Sequence, residues 1–370
     1  MTGSLRLIAD DLTGALDTAA EFTGLCGAID VAWTESVPDN LTGSLAIDTG
    51  TRECGDDDAA ARVGRVAAAL DGAAIAYKKV DSLMRGPWAA ELAACLATGQ
   101  WTHCVLAPAF PYQHRRTVDG RQVAQTAQGD WVTAGADLMT ALAAAGLRAV
   151  RAQPGAALPT GIAVFDAATD ADLAQAVAAG RAAAGPVLWC GSGGLARALA
   201  QPHQAPVTQR LAAPVLGLFG SDQEITAAQL RACGVAWIAV TGADAASAAT
   251  VGQQLAEGVA LVSVDLPPDL ARAEAALRIA DTMDRLLQRL PRPQTLIVAG
   301  GETLKGLCLS LGAHGLRATG QVMPGVPRSI LRGGRWDGLA VVSKSGAFGA
   351  PDLWRNLLQD NSLHPKRIEA

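Results

Sequence analysis

The 370-residue chain is poor in lysine, with five against 25 arginines, and it lacks any pattern that would mark a disulfide-built, zinc-binding or membrane protein. Its seven cysteines (Cys26, Cys54, Cys95, Cys104, Cys190, Cys233 and Cys308) are scattered singly without a CxxC pair, an odd set that suits reduced, mostly buried thiols. The five histidines show no zinc-ligand spacing. There is no basic block and no interleaving of aromatic with basic residues, and the net charge is −5, which argues against a nucleic-acid partner. A mildly acidic protein that binds anions must gather its positive charge locally, so the expected partner is a small anion. No uninterrupted apolar run is long enough for a bilayer, and the opening MTGSLRLIADDLTG lacks the basic start and long apolar stretch of a signal peptide. The expectation is a cytoplasmic protein without a membrane partner. The P-loop pattern GxxxxGK[ST] and the serine-hydrolase elbow GxSxG are absent as well.

The few lysines are placed, not strewn. Lys78 and Lys79 stand in YKKVDSLMRG, Lys305 in GGETLKG and Lys344 in VSKSGAFG, while arginine serves elsewhere as the general cation. A lysine kept against that bias suggests a site that needs a compact ammonium on a flexible stem, which suits a phosphate oxygen better than a planar fork does.

Half the residues are hydrophobic, and the length exceeds what one core usually organises, so two domains are expected. Apolar runs alternate with Ala-rich amphipathic stretches: LRLIA, AIDVAW, SLAID, AAIAYKKV and HCVLAP, then TGIAVFDA and PVLWCG. That βαβα rhythm predicts an α/β fold, two domains each built on a largely parallel sheet flanked by helices, with the active site in a cleft between them. The stretch QPHQAPVTQRLAAP has no periodicity. It sets the expected division: a first domain over 1–202, a linker over 203–213 and a second domain over 214–370. The second series runs VLGLFGS, WIAVTG, VALVSV, TLIVAGGET and LAVVSKSG, with irregular or antiparallel structure expected from about Leu316 to Arg335.

In open parallel sheets, ligands sit beyond the carboxyl ends of the strands, so polar residues directly after apolar runs carry most weight. The first domain offers Asp10, Asp11 and Thr13 after LRLIA, Asp48, Thr49 and Arg52 after SLAI, and Lys79, Asp81, Ser82 and Arg85 after AIAYK. Any one of these aspartates, or Thr13 or Ser82, can simply cap the next helix. Capping does not call for an accompanying Lys or Arg, however, and two of these three turns carry one. PAFPYQHRRTVDGRQVAQ adds Arg115, Arg116 and Arg121 over the same edge, either as a solvated hairpin or, with Arg52 and Arg85, as a bidentate clamp for a carboxylate. The second domain offers glycines. GSDQEIT brings Ser221, VAGGET brings Gly300, Gly301, Glu302 and Thr303 at a helix start, and KSGAFG brings Lys344, Ser345 and Gly346. Three such turns on one sheet suit nucleotide phosphates. GSGGLA matches the dinucleotide pattern G-x-G-x-x-A, yet no acidic residue follows some twenty positions on to take a ribose.

In order along the chain, IADDLTGALDTA, DTGTR, YKKVDSLMRG, APAFPYQHRRTVDG, GSGGLARAL, GGET, PGVP and KSGAFG resemble the four-carbon acid sugar kinases. The resemblance spans nearly the whole chain. It implies a sugar-acid-binding N-terminal domain, a nucleotide-binding C-terminal domain, and ATP-dependent phosphorylation of the terminal hydroxyl of threonate, erythronate or 3-oxo-tetronate. It places ATP at Ser221, Gly300, Gly301, Glu302, Thr303 and Gly346, and the acid sugar at Asp10, Asp11, Lys79, Asp81 and Arg85. The sequence departs from the family at Leu83 and Met84, where Thr-Leu is usual, at Pro87, where Asn is usual, and at Asp222 and Gln223, where a smaller polar pair is common. The mechanism this implies has Asp11 as the base, with Asp81 as the runner-up, and Arg85 with Arg115 or Arg116 on the carboxylate. Lys79 would steady the Asp81 turn or the transferring phosphoryl, and Lys344 would touch ATP phosphates. Mg²⁺ is expected to neutralise the triphosphate, with Asp10 or Glu302 as direct or water-mediated ligand. The linker would let the domains close. The alternatives are a nucleotide-dependent sensor without turnover, a kinase for a different small sugar acid, and a dehydrogenase using the GSGGLA turn. Both a monomer and a homo-oligomer are compatible with the sequence.

Overall fold

The computed structural model describes residues 4–34, 42–126, 128–153, 155–267 and 269–363; residues 1–3, read above for a leader, and 364–370, placed above in the second domain, lie outside them. The chain forms two compact units, Met1–Pro206 and Val207–Ala370.

The first unit carries strands β1 (Leu5–Ala9), β2 (Ile29–Ala32), β3 (Leu45–Asp48), β4 (Ile75–Lys79), β5 (His103–Ala107), β6 (Arg115–Val118), β7 (Arg121–Gln125), β8 (Trp131–Thr133), β9 (Ala149–Arg151), β10 (Gly161–Val164) and β11 (Val187–Gly191). Its helices are α1 (Leu12–Glu21), α2 (Thr23–Cys26), α3 (Asp56–Val66), α4 (Trp88–Leu96), α5 (Leu138–Ala144), α6 (Asp170–Ala182) and α7 (Gly193–Ala200). The main sheet runs β2-β3-β1-β4-β11-β5-β10-β9, with every neighbouring pair parallel. Helices cover both faces, so LRLIA and HCVLA are buried at every position, which is why these strands read as continuous apolar runs. The register aligns Ala9 with Asp48, Lys79 with Gly191 and Gly191 with Ala107, so the turns after β1, β3, β4, β11 and β5 share one edge. A separate antiparallel sheet, β6-β7-β8, follows β5. β6 and β7 are the hairpin expected of the arginine-rich segment.

The second unit carries β12 (Val215–Phe219), α8 (Glu224–Ala232), β13 (Trp237–Val240), α9 (Ala245–Ala256), β14 (Val259–Val264), α10 (Arg272–Arg289), β15 (Thr295–Ala299), α11 (Gly301–Ser310), β16 (Gly315–Met323), β17 (Val326–Arg332), β18 (Ala340–Lys344) and α12 (Leu353–Asp360). Its strands run β13-β14-β12-β15-β18-β17-β16, parallel as far as β18 and antiparallel through β17 and β16. The stretch from Leu316 to Arg335 is thus largely an antiparallel hairpin, with two register shifts along β16. From β12 the chain winds to one side and from β14 it crosses to the other, so the topological switch point lies between β12 and β15. Trp354 packs edge-on against Phe219 with ring centroids 6.0 Å apart, in a core with Val215, Leu261, Ile297 and Val342. In the 203–213 stretch, Val207 bridges to Gln321, Arg328 donates to the Arg210 carbonyl at 2.6 Å, and the Leu211 N–H donates to Asn361 at 2.7 Å. From Val207 onward, then, this segment is bonded to the second unit.

Candidate active site

The end of β1 meets the end of β3 through one arginine. Arg52 donates Nε to Asp10 Oδ2 at 2.8 Å and Nη2 to Asp10 Oδ1 at 2.9 Å, and it reaches Asp11 with Nη1 at 2.5 Å and Nη2 at 2.9 Å. The segment holding Arg52 is itself tied down, because the Thr51 N–H donates to the Asp10 carbonyl at 2.9 Å. Asp11 also caps α1, its Oδ1 accepting from the Gly14 N–H at 2.7 Å. The capping and site readings of Asp11 are therefore compatible. The two carboxyls differ in charge state. Burial works to raise Asp10, but Arg52 and then Lys79 prevail and hold it below the usual carboxylate range. Burial also raises Asp11; Arg52 opposes it, the neighbouring Asp10 charge adds to it, and the carboxyl is pushed up to about 7. One guanidinium cannot fully compensate two adjacent buried carboxylates, so one of them titrates near neutrality.

The end of β4 supplies the rest. Lys78 and Lys79 are successive strand residues and so point to opposite faces. Lys78 is fully buried and pairs with Glu91 of α4 at 2.7 Å, while its Nζ also donates to the Lys79 carbonyl at 2.7 Å. Thr51 donates its hydroxyl to the same Glu91. Lys79, only 5% exposed, has no hydrogen-bonding or ion-pair partner among the described residues. Its Nζ lies against the first turn of α1, where a Cβ placed on Gly14 would stand 2.9 Å away. Asp81 is held by Arg85 in a two-bonded fork, 2.8 Å on each side, with Arg52 3.7 Å off. Burial would raise Asp81, but the Arg85 bonds and the charges of Arg52 and Arg85 take it well below the usual range. Ser82 is half-buried and its carbonyl accepts from Gln122 at 2.8 Å; Thr13 is buried in the first turn of α1.

The hairpin divides its two arginines. Arg115 is half-buried, donates Nη1 to the Gln113 carbonyl at 2.7 Å and keeps a buried Nε without a partner among the described residues. Arg116, on the opposite face of β6, is exposed and stacks on Trp131 with 4.0 Å to the ring centroid. Arg115 is within electrostatic reach of Asp81 and Arg85, whereas Arg116 is not brought to the cluster. The GSGGLA turn is closed by packing: a side chain on Gly194 would collide with the Ala109 carbonyl, and one on Gly193 would reach 2.8 Å from the Phe110 ring. Ser192 is fully buried and donates to the Ala109 carbonyl at 2.9 Å. The backbone of APAF fills the place a pyrophosphate would need.

In the second unit, Ser221 follows β12, Gly300 and Gly301 follow β15, and Lys344 ends β18, so these turns flank the switch point. The Gly300 N–H donates to the Lys344 carbonyl at 3.0 Å, and any side chain on Gly346 would run into Ser221 Oγ. The close approach of the 345–346 turn to Ser221 requires glycine at 346. Gly300, at φ +108, is the N-cap of α11 and offers no side-chain cap, so the N–H groups of the first turn, at Gly301, Glu302 and Thr303, are free for an anion. The ammonium of Lys344 is 1% exposed and is held inside its turn, 3.1 Å from both the Ser345 and the Gly346 carbonyls. Burial without a carboxylate pulls it down to about 7. In this structure Lys344 grips the carbonyls of its own turn.

Sequence reasoning missed the supports of both sites. Glu91, Thr51 and Gln122 are fully buried beneath the first; Thr226 and Gln229 on α8 bind the Gly346, Phe348 and Ala350 carbonyls at 2.8–3.0 Å beneath the second. The available signal was a polar residue on an apolar helix face: Glu91 alone in WAAELAAC, Thr226 and Gln229 three apart in EITAAQL. A cavity of about 1090 Å³ lined by α6 and by residues 152–153 and 155–160 does not compete. Its charged groups are already engaged, Arg151 with Asp166 at 2.6 Å and with Asp119 at 3.0 Å, and Asp172 in the cap of α6.

A charged strand edge in one α/β unit and a glycine-built, anion-ready edge in the other are what a two-substrate phosphotransferase would use. Residues 5–199 match the sugar-binding N-terminal domain family, and residues 216–354 match the nucleotide-binding C-terminal domain family. The chain belongs to the four-carbon acid sugar kinase family. It is 34% identical to a D-threonate kinase of Cupriavidus necator, over 95% of this chain and 96% of that protein, and 34% identical to a D-threonate kinase of Bordetella bronchiseptica, over 94% and 95%. A solved structure from Salmonella typhimurium LT2 shares the fold, with a TM-score of 0.77 at 21% identity over 96% of this chain and 99% of that one. Among the described residues, no helix is long and apolar enough to cross a membrane.

Proposed function

We propose that the protein transfers the terminal phosphoryl group of ATP to the terminal hydroxyl of a four-carbon sugar acid, with D-threonate as the first candidate. The observation that carries this reading is the pairing, on one strand edge of the sugar-binding domain, of a carboxyl titrating near neutrality, Asp11, with an uncommitted ammonium, Lys79. Asp11 accepts the hydroxyl proton, since its Oδ2 keeps a free lone pair beside the Arg52 bond. Asp81, fully engaged by Arg85, is the weaker base and instead aims Arg85. Arg85 and the free Nε of Arg115 take the substrate carboxylate, with Thr13 and Ser82 beside its hydroxyls. Lys79 meets the charge of the transferring phosphoryl. The α11 N-terminus, Ser221 and the Ser345–Gly346 turn cradle the nucleotide phosphates.

Mg²⁺ would supply charge neutralisation on the triphosphate. Among the described residues, no group of three or more His, Cys, Asp or Glu could hold a metal, and both Asp10 oxygens are occupied by Arg52. The ion would therefore arrive on the nucleotide, with the exposed Glu302 as its protein carboxylate.

The test is incubation with Mg-ATP and D- and L-threonate, D- and L-erythronate and 3-oxo-tetronates, following ADP and phosphorylated product. Stoichiometric turnover with D-threonate is expected. ATP binding without turnover of any acid would overturn the kinase reading.

A further inference from the structure

Gln122 is fully buried on β7. It faces Thr117 across the hairpin, and its Oε1 accepts from the Thr117 hydroxyl at 2.8 Å. Its Nε2 donates twice: to the Ser82 carbonyl at 2.8 Å, in the turn that carries Asp81 and Arg85, and to the Pro108 carbonyl at 3.2 Å, just past β5. One amide thus joins three separate chain segments, using both its donors and its acceptor. A second contact presses the same sheet on the same turn. Met84 sits there with φ +56, and a Cβ on Gly135, which follows β8, would stand 2.9 Å from the Met84 Cβ. The Gln122 carbonyl in turn accepts from the Ala134 N–H at 2.8 Å. Arg115 lies two residues before Thr117 on β6, on the same face, and keeps its buried Nε unpaired.

We propose that Gln122 is a positioning residue for acid recognition: its amide locks the hairpin bearing Arg115 to the turn bearing Arg85, setting the spacing at which the two guanidiniums receive one carboxylate. This rests on the reading that the protein phosphorylates a sugar acid. The inward carbonyls of Ser82 and Pro108 leave an apolar replacement unable to hold that spacing, because two buried acceptors lose their donors.

The test is steady-state kinetics of Gln122→Met, a near-isostere without donors, together with calorimetric binding of D-threonate. The expected result is a KM and a Kd for the acid raised about 10- to 100-fold, with the KM for ATP unchanged and kcat nearly so. A merely structural role would instead lower the melting temperature and leave the acid KM of the folded fraction unchanged. In an Arg115→Ala background, Gln122→Met should add little, since both changes remove one interaction. Additive losses would overturn the proposal. Should Gln122→Met fail to fold, Thr117→Val weakens the same anchor more gently and should still raise the acid KM selectively; no change there would also count against the role. Wild-type protein that turns over no acid overturns the kinase reading, whereas wild-type turnover beside an unchanged Gln122→Met KM overturns the positioning role alone.

Discussion

The strand-end edge of the first domain is crowded with ionised side chains, whereas that of the second is made of backbone. Asp10, Asp11, Asp81, Arg52, Arg85 and Lys79 converge on one, and burial together with the neighbouring charges sets the states of Asp10, Asp11, Asp81 and Arg52. At the other, glycines bring three turns into contact, and its central cation, Lys344, is turned inward onto carbonyls. The contrast fits the proposed ligands. A small hydroxy acid presents few atoms, so recognising it takes aimed forks and hydroxyl partners, while a phosphate chain presents many equivalent oxygens that backbone N–H groups and a helix end satisfy without side chains.

The two edges should therefore fail differently when altered. Asp11→Asn should lower kcat by about 10²–10⁴-fold while nucleotide binding, measured by calorimetry, persists. In the wild type, kcat/KM for the acid should rise with pH through about 7 as Asp11 loses its proton, and that limb should vanish in the variant. The stability sign is opposite. A carboxyl whose folded value is raised contributes stability that is present below the ordinary carboxylate range and lost as pH climbs through about 7. Asp11→Asn should then melt higher than wild type at pH 8, with no such gain at pH 4. If the variant stays active, the charged edge is not where the base resides.

Lys78→Met leaves Glu91 buried and unpaired, which should cost about 3–5 kcal/mol in a denaturant titration of the first domain. A double replacement, Lys78→Met with Glu91→Leu, should recover most of that loss, since a buried pair exchanged for apolar groups is often neutral. Gly346→Ala forces a side chain into Ser221 and should weaken nucleotide binding by about 1–3 kcal/mol while leaving acid binding alone. Equal loss of both ligands would erase the division between the edges. Arg116→Ala, which removes only the exposed stacking on Trp131, should cost about 0.5–1 kcal/mol and leave the acid KM unchanged. A raised KM there would return Arg116 to the site, from which its place on the outer face of β6 now separates it.

The parallel strands were legible because burial on both faces writes an unbroken apolar run, as in LRLIA and TLIVA. The polar turns after them were legible for the same reason, standing out where the run stops. Two strands that did not announce themselves, β8 and β9, are three residues long and largely exposed, so neither period nor continuity marks them. Within the site, residue type identified Asp11, Arg85 and Lys344 as polar groups at strand ends but could not say which way each points. Arg115 and Arg116 are equivalent in the sequence and opposite in the structure, because successive strand residues face opposite sides. GSGGLA matches a dinucleotide pattern but lacks the acidic residue for a ribose, and the APAF segment, some eighty residues earlier in the chain, packs against it.

The sequence by itself determined the α/β class, the two-domain plan, the polar turns at the strand ends and the family, since each of these depends on local pattern or on motifs in order. Only the tertiary structure decided that Asp11 titrates near neutrality while Asp10 and Asp81 do not, that Lys78 is a buried strut and Lys79 a buried side chain without a hydrogen-bond partner among the described residues, and that Lys344 shapes its turn from within. Those differences come from burial and from the charges brought near by distant segments, and a carboxyl or ammonium takes its character from its surroundings rather than from its place in the chain.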